Sequence, residues 1–197
     1  MLVKRNLILI AIASLFLVFT NLLQAQDKFG LTPGADLKVS GTSTLHDWEM
    51  TSKGAAGDAK IVLNGNQIES LSALKVVLAV QSLKSGKNQM DGIAHETLKS
   101  DKYPEIRFEL TEVKQITANT VKAAGNLTIA GTTRPVLMDV NYTVNGKNIS
   151  FTGAKDIKFT DFKVDPPKAM FGTIKTGDEL RLSLNASFKS VSPQVNQ

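Results

Sequence analysis

The chain has 197 residues, a formal net charge of +5, two histidines and no cysteine. That length suits one domain with a sizeable core. The lack of cysteine excludes disulfides, thiolate chemistry and a lipid-modified cysteine near the N-terminus. The basic residues are interspersed with acids, as in Lys99-Ser100-Asp101-Lys102, so no stripe for nucleic acid forms.

Residues 1–25 have the order of a cleavable signal peptide: Lys4 and Arg5, an apolar run from Leu7 to Phe19, then a polar stretch reaching Ala25. The run is shorter than the roughly 20 residues of a membrane-spanning helix. Cleavage near Ala25 leaves residues 26–197 as one domain, periplasmic or secreted, whose charge falls to +3 without Lys4 and Arg5. Residues 36–42, 44–52 and 58–64 have strand character, and Leu74, Val76, Leu78 and Val80 form one apolar face of a further strand. Asn88 to Lys99 breaks the alternation: Met90, Ile93, Ala94, Thr97 and Leu98 fall at helical spacing, and Pro104 stops the helix from running on. Such a helix caps or flanks a sheet.

Beyond it, Ile106, Phe108 and Leu110 lie opposite Arg107, Glu109 and Thr111, and Val136, Met138, Val140, Tyr142 and Val144 lie opposite Asp139, Asn141 and Thr143. Asn64-Gly65-Asn66, Ala130-Gly131-Thr132 and Asn145-Gly146-Lys147 read as hairpin turns. The loop from Thr160 to Gly177 is long and holds Phe162, Met170, Phe171 and Ile174, which suits either a binding loop or a plug for one end of the core. The last strand is the clearest, with Leu180, Leu182, Leu184, Ala186 and Phe188 on one face. A frayed tail follows it. These elements describe an all-β domain with one short helix, as a sandwich or a closed barrel; periodicity does not choose between them.

Catalytic equipment is sparse. Alternation sends adjacent His46 and Asp47 to opposite faces, which argues against a catalytic pair there, and His95 lies off the helix's apolar stripe, suiting an exposed or helix-end role. Two histidines on dissimilar segments do not assemble a metal site. A hydrolase or isomerase built on His46 would lack a second catalytic group.

Three stretches together resemble the YceI family of exported bacterial proteins. They are Met90 to Phe108, with Lys102-Tyr103-Pro104 at a strand entry; Gly125 to Val136, with Gly131-Thr132-Thr133-Arg134-Pro135; and Asp161-Phe162 before the last strand. The resemblance spans nearly all of residues 34–189. It implies a lipocalin-like, extended eight-stranded antiparallel β-barrel, without enzymatic activity or cofactor, whose interior holds a polyprenyl or fatty-acyl lipid for transport or storage. Strand parity nominates His46, Trp48, Met50, Val76, Leu78, Val80, Ile106, Phe108, Met138, Val140, Phe159, Phe162, Phe171 and Leu182 as lipid-binding residues, with His46 as a polar contact. Transient contact with a membrane or membrane protein is a further expectation. The competing reading is a barrel filled by its own side chains, acting as a structural or stress-related interaction module.

Overall fold

The computed structural model describes residues 27–191; the expected signal peptide and most of the expected frayed tail lie outside the described residues. The strands are β1 (Asp27–Leu31), β2 (Asp36–Ser43), β3 (Trp48–Ser52), β4 (Ala55–Asn64), β5 (Gln67–Ala79), β6 (Glu105–Ile116), β7 (Thr120–Ile129), β8 (Thr132–Asn145), β9 (Asn148–Lys158), the two-residue β10 (Lys168–Ala169) and β11 (Ile174–Ser190). One helix, α1 (Asn88–Thr97), joins β5 to β6.

Two staves of the sheet are each broken in two. β11 pairs with β2 along Leu180 to Asn185 and with β1 along Phe188 to Ser190, so β1 and β2 are consecutive parts of one stave. β3 and β4 make the next stave, pairing with β2 and β1 respectively. From β4 the pairing runs β5, β6, β7, β8, β9 and β11, every step antiparallel, and the β1–β11 pairing shuts the ring. The architecture is therefore a closed eight-stranded barrel rather than a sandwich. Among the described residues closure leaves little free edge: the outer side of β3 is bridged by Lys84, which exchanges two backbone hydrogen bonds with Thr51, each 2.9 Å, and β10 is only two residues long.

The two ends differ. At one end β4–β5, β6–β7 and β8–β9 are joined by tight turns, and Phe29, Ile61, Val121, Ile149, Phe151 and Phe188 pack into a cluster. Phe151 and Phe188 meet edge to face with ring centroids 5.8 Å apart. Tyr142 locks this closed end. Its hydroxyl accepts from the Ile68 N–H at 3.1 Å and donates to the Thr117 carbonyl at 2.8 Å, joining β5, β8 and the β6–β7 turn. Tyr142→Phe strands both partners, and we expect a loss of about 1–3 kcal/mol in unfolding free energy by urea titration. A change below about 0.5 kcal/mol would show that the hydroxyl is not a fastener.

The opposite end carries α1 and the long β9–β11 connection. The helix stops where Lys99 turns left-handed (φ 53°), with Lys99 N–H donating to Glu96 O at 2.9 Å and Ser100 N–H to His95 O at 2.9 Å. That is the Schellman arrangement, which returns the chain sharply to the rim. The Ala130–Gly131 turn at this end has positive φ at both residues (46° and 77°), as a two-residue hairpin of the sheet's twist requires. The Tyr103 ring covers Gly131 so closely that any Cβ there would overlap it. The lysine-tyrosine-proline strand entry and the glycine-rich hairpin are thus one packing unit.

Candidate functional site

Between the two ends the barrel is hollow. A cavity of about 640 Å³ runs from the closed-end cluster to the α1 end, within the usual range for small-molecule sites. All eight staves contribute to its wall, for example Leu37 and Val39 from β2, Leu127 and Ile129 from β7, and Leu182 and Leu184 from β11. Wall positions recur every second residue because strand side chains alternate between inside and outside. An interior filled by the barrel's own side chains does not fit this geometry.

α1 lies across the mouth. Met90, Ile93, Ala94, Thr97 and Leu98, the five positions of its apolar spacing, all line the cavity, so the helix is a cover rather than a flanking layer. Asp91 holds it in place. This buried carboxylate accepts from Ser85 Oγ and Ser85 N–H, both at 2.7 Å, with Lys84 Nζ at 3.8 Å. The Ser85 hydrogen bonds, first through the hydroxyl and then through the backbone, hold its pKa below the usual aspartate value against the opposing effect of burial, with smaller help from Lys84 and His95. A depressed carboxylate stabilises the fold above its unfolded pKa and loses that contribution as pH falls through the folded one. The cover should therefore loosen at acid pH, below the ordinary aspartate range. We expect Asp91→Ala to cost about 2 kcal/mol at neutral pH and to speed amide exchange in α1. The penalty should shrink as pH falls; a pH-independent penalty would contradict the ionised role. His95 is a second fastening, its Nε2 lying 3.1 Å from the Leu83 carbonyl. It is part-buried at the helix end and structural.

The β9–β11 connection supplies the other side of the mouth. Asp178 accepts from Thr160 Oγ1 at 2.6 Å and Thr160 N–H at 3.0 Å, which lowers its pKa and pins the two ends of the connection together. Arg134 Nε donates to the Asp161 carbonyl at 2.6 Å. This contact ties the arginine of the Gly131–Pro135 hairpin to the turn that seats Phe162 against the cavity.

Of the nominated residues, His46, Trp48, Met50, Val76, Leu78, Ile106, Phe108, Met138, Val140, Phe159, Phe162 and Leu182 line the cavity. Two nominations are corrected. Val80 is fully buried but off the cavity, because β5 ends at Ala79 and Val80 opens a 3-10 turn, its N–H donating to the Pro104 carbonyl at 2.8 Å. Phe171 points into solvent, since positive φ at Met170 and Phe171 inverts the expected direction and leaves Met170 on the cavity.

His46 sits at the exposed mouth with Nδ1 2.7 Å from the Asp47 carbonyl. A carbonyl only accepts, so the proton of the neutral ring sits on Nδ1 and Nε2 keeps a lone pair. Trp48 spans β2 and β3: its Nε1–H donates to the Thr42 carbonyl at 3.1 Å and its ring lies over Gly41, where a Cβ would come within 2.6 Å. Among the described residues no three His, Cys, Asp or Glu side chains gather as a metal site. Parity reasoning missed the β7 wall of Val121, Ala123, Leu127 and Ile129, although its alternation is plain in the chain, and Leu37 and Val39 of β2.

The family model described as YceI-like domain matches residues 29–188. A UPF0312 protein of Pseudomonas savastanoi pv. phaseolicola is 27% identical over 179 residues, covering 84% of each chain. Among solved structures, Burkholderia cenocepacia BcnA superposes with a TM-score of 0.65 at 18% identity, covering 78% of this chain and 95% of that one. A polyisoprenoid binding domain from Saccharophagus degradans superposes with a TM-score of 0.62 at 10% identity, covering 84% of this chain and 99% of that one. At these identities the superpositions establish the barrel fold.

Proposed function

The chain belongs to the YceI-like domain family, and from that premise we propose that it is an exported, non-catalytic binding protein that holds one long apolar lipid chain in its barrel for transport or storage. The observation that carries this reading is the cavity itself: about 640 Å³, walled by apolar side chains from every stave and covered by α1. Water held there finds few polar partners. A flexible alkyl or isoprenoid chain, by contrast, gains about 0.8 kcal/mol for each methylene it buries. The neighbour that binds a polyisoprenoid supports a chain of that kind. The order of residues 1–25 supports export to the periplasm or beyond. We assign the twelve nominated wall residues to contact the chain, with His46 Nε2 at the mouth available to a hydroxyl or other donor on its polar end.

Trp48 is the only tryptophan and lines the cavity, so its emission reports occupancy directly. Titration of delipidated protein with a farnesyl- or longer-chain prenol should give a saturable change in Trp48 emission at one ligand per barrel, with affinity rising as the chain lengthens. The same affinity for short and long chains, or no saturable change with prenols or long fatty acids, would remove the proposal.

A further inference from the structure

The mouth carries a feature that holding a lipid does not need. Among the described residues five large apolar side chains are exposed, and three of them belong to this one rim: Leu45 (65% exposed), Met170 (63%) and Phe171 (110%). They lie on two loops stitched into one ledge. Thr44 N–H donates to the Lys175 carbonyl at 3.0 Å, Lys175 N–H donates to Thr44 Oγ1 at 3.1 Å, and Thr44 Oγ1 donates to the Thr173 carbonyl at 3.3 Å. Met170, Phe171 and Gly172 are consecutively left-handed, with φ of 51°, 54° and 87°. That conformation is costly for the two non-glycine residues, and its result is a phenylalanine held wholly in solvent beside the opening.

The cavity lining and the rim around it differ in charge. Every charged residue lining the cavity is a lysine (Lys38, Lys87, Lys158 and Lys168), and no acid does. Lys38 and Lys158 are paired, with Glu49 at 3.0 Å and Glu179 at 3.4 Å. Lys87, at the start of α1, and Lys168, on β10, have no carboxylate within ion-pair distance among the described residues. Asp47, Asp161 and Asp165 are the exposed acids of the two rim segments and Lys163, Lys168 and Lys175 the exposed bases, with Lys87 at the start of α1 in addition.

We infer that this rim docks on the surface of an anionic lipid bilayer, Phe171 and its apolar neighbours entering the headgroup boundary and Lys87 and Lys168 meeting lipid phosphates. Apolar side chains that insert and basic side chains that meet anionic headgroups are the two attractions that hold a protein reversibly on a membrane. An apolar chain leaving the bilayer then enters the barrel without crossing water. The inference rests on the lipid-carrier reading for its cargo, but docking and loading have separate readouts.

The cysteine-free chain allows one site to be labelled at a time. In the full chain, Phe171→Cys carrying an environment-sensitive fluorophore is compared with the same label at Leu137→Cys, on the exposed outer wall of β8. With phosphatidylglycerol vesicles we expect a blue shift and a severalfold emission increase at 171, little change at 137, and a response weakened on the order of tenfold by Lys87→Ala with Lys168→Ala or by molar salt. An unchanged spectrum at 171, equal responses at both sites, or an equal response to vesicles of phosphatidylcholine alone would overturn it. Prenol titration through Trp48 in the Phe171→Cys protein separates the two claims: saturation there with no vesicle response at 171 leaves the carrier reading standing and removes docking.

Discussion

Phe29→Ala should lower the unfolding free energy by about 3–5 kcal/mol, the usual cost of truncating a packed phenylalanine. The site is critical because the barrel closes through β1, a strand of only five residues that pairs with β4 on one side and β11 on the other. Phe29 is 1% exposed and packs into the closed-end cluster without lining the cavity. Its loss therefore weakens the seam without touching the wall. In urea the midpoint should fall while the slope, which reports surface exposed on unfolding, stays the same. Prenol affinity measured well below the midpoint should be unchanged. A cost under about 1 kcal/mol would mean that the barrel does not depend on this seam.

Val76→Trp combined with Met138→Trp should act the opposite way, lowering affinity for long chains while leaving the fold intact. Both side chains line the cavity, from β5 and β8, and both already sit in apolar surroundings that an indole suits. If the two rings exclude three methylenes of a bound chain, about 2.4 kcal/mol of burial is lost at about 0.8 kcal/mol per methylene. That is roughly a fiftyfold weaker dissociation constant. Shorter prenols, which need less of the cavity, should lose less. An equal loss for all chain lengths would indicate a disturbed fold or mouth rather than a filled interior.

How far the residues alone reach follows from what repeats along the chain. Alternation on β11 and β8, and the helical spacing of α1, specify which side chains face inward, because a period of two or of 3.6 survives whatever the partner strand is. Barrel against sandwich did not follow from periodicity, since both bury alternate residues; the family motifs pointed to the barrel, and the β1–β11 pairing is what closes it. β1, five residues around the buried Phe29, is too short for alternation to declare, and residues 44–47, read as the start of a strand, form the rim loop before β3; the break at 53–54 falls between the strands read at 44–52 and 58–64. Val80 and Phe171 mark where parity stops being a guide. One lies just past a strand end set by a distant partner, Pro104, and the other follows a left-handed residue, Met170, that composition does not announce. The fastenings of the mouth, Asp91 with Ser85 and Asp178 with Thr160, join common surface residue types and emerge only when the loops are seen in space.

The central claim is that the hollow interior binds a long apolar lipid. Native mass spectrometry of the protein purified without detergent from its own host, followed by lipid extraction, tests it most directly. A single added mass per barrel, released on unfolding and identified as a prenyl or fatty-acyl compound, is the expected result. Protein that is repeatedly lipid-free, and that stays so after incubation with the host's extracted lipids, would contradict it.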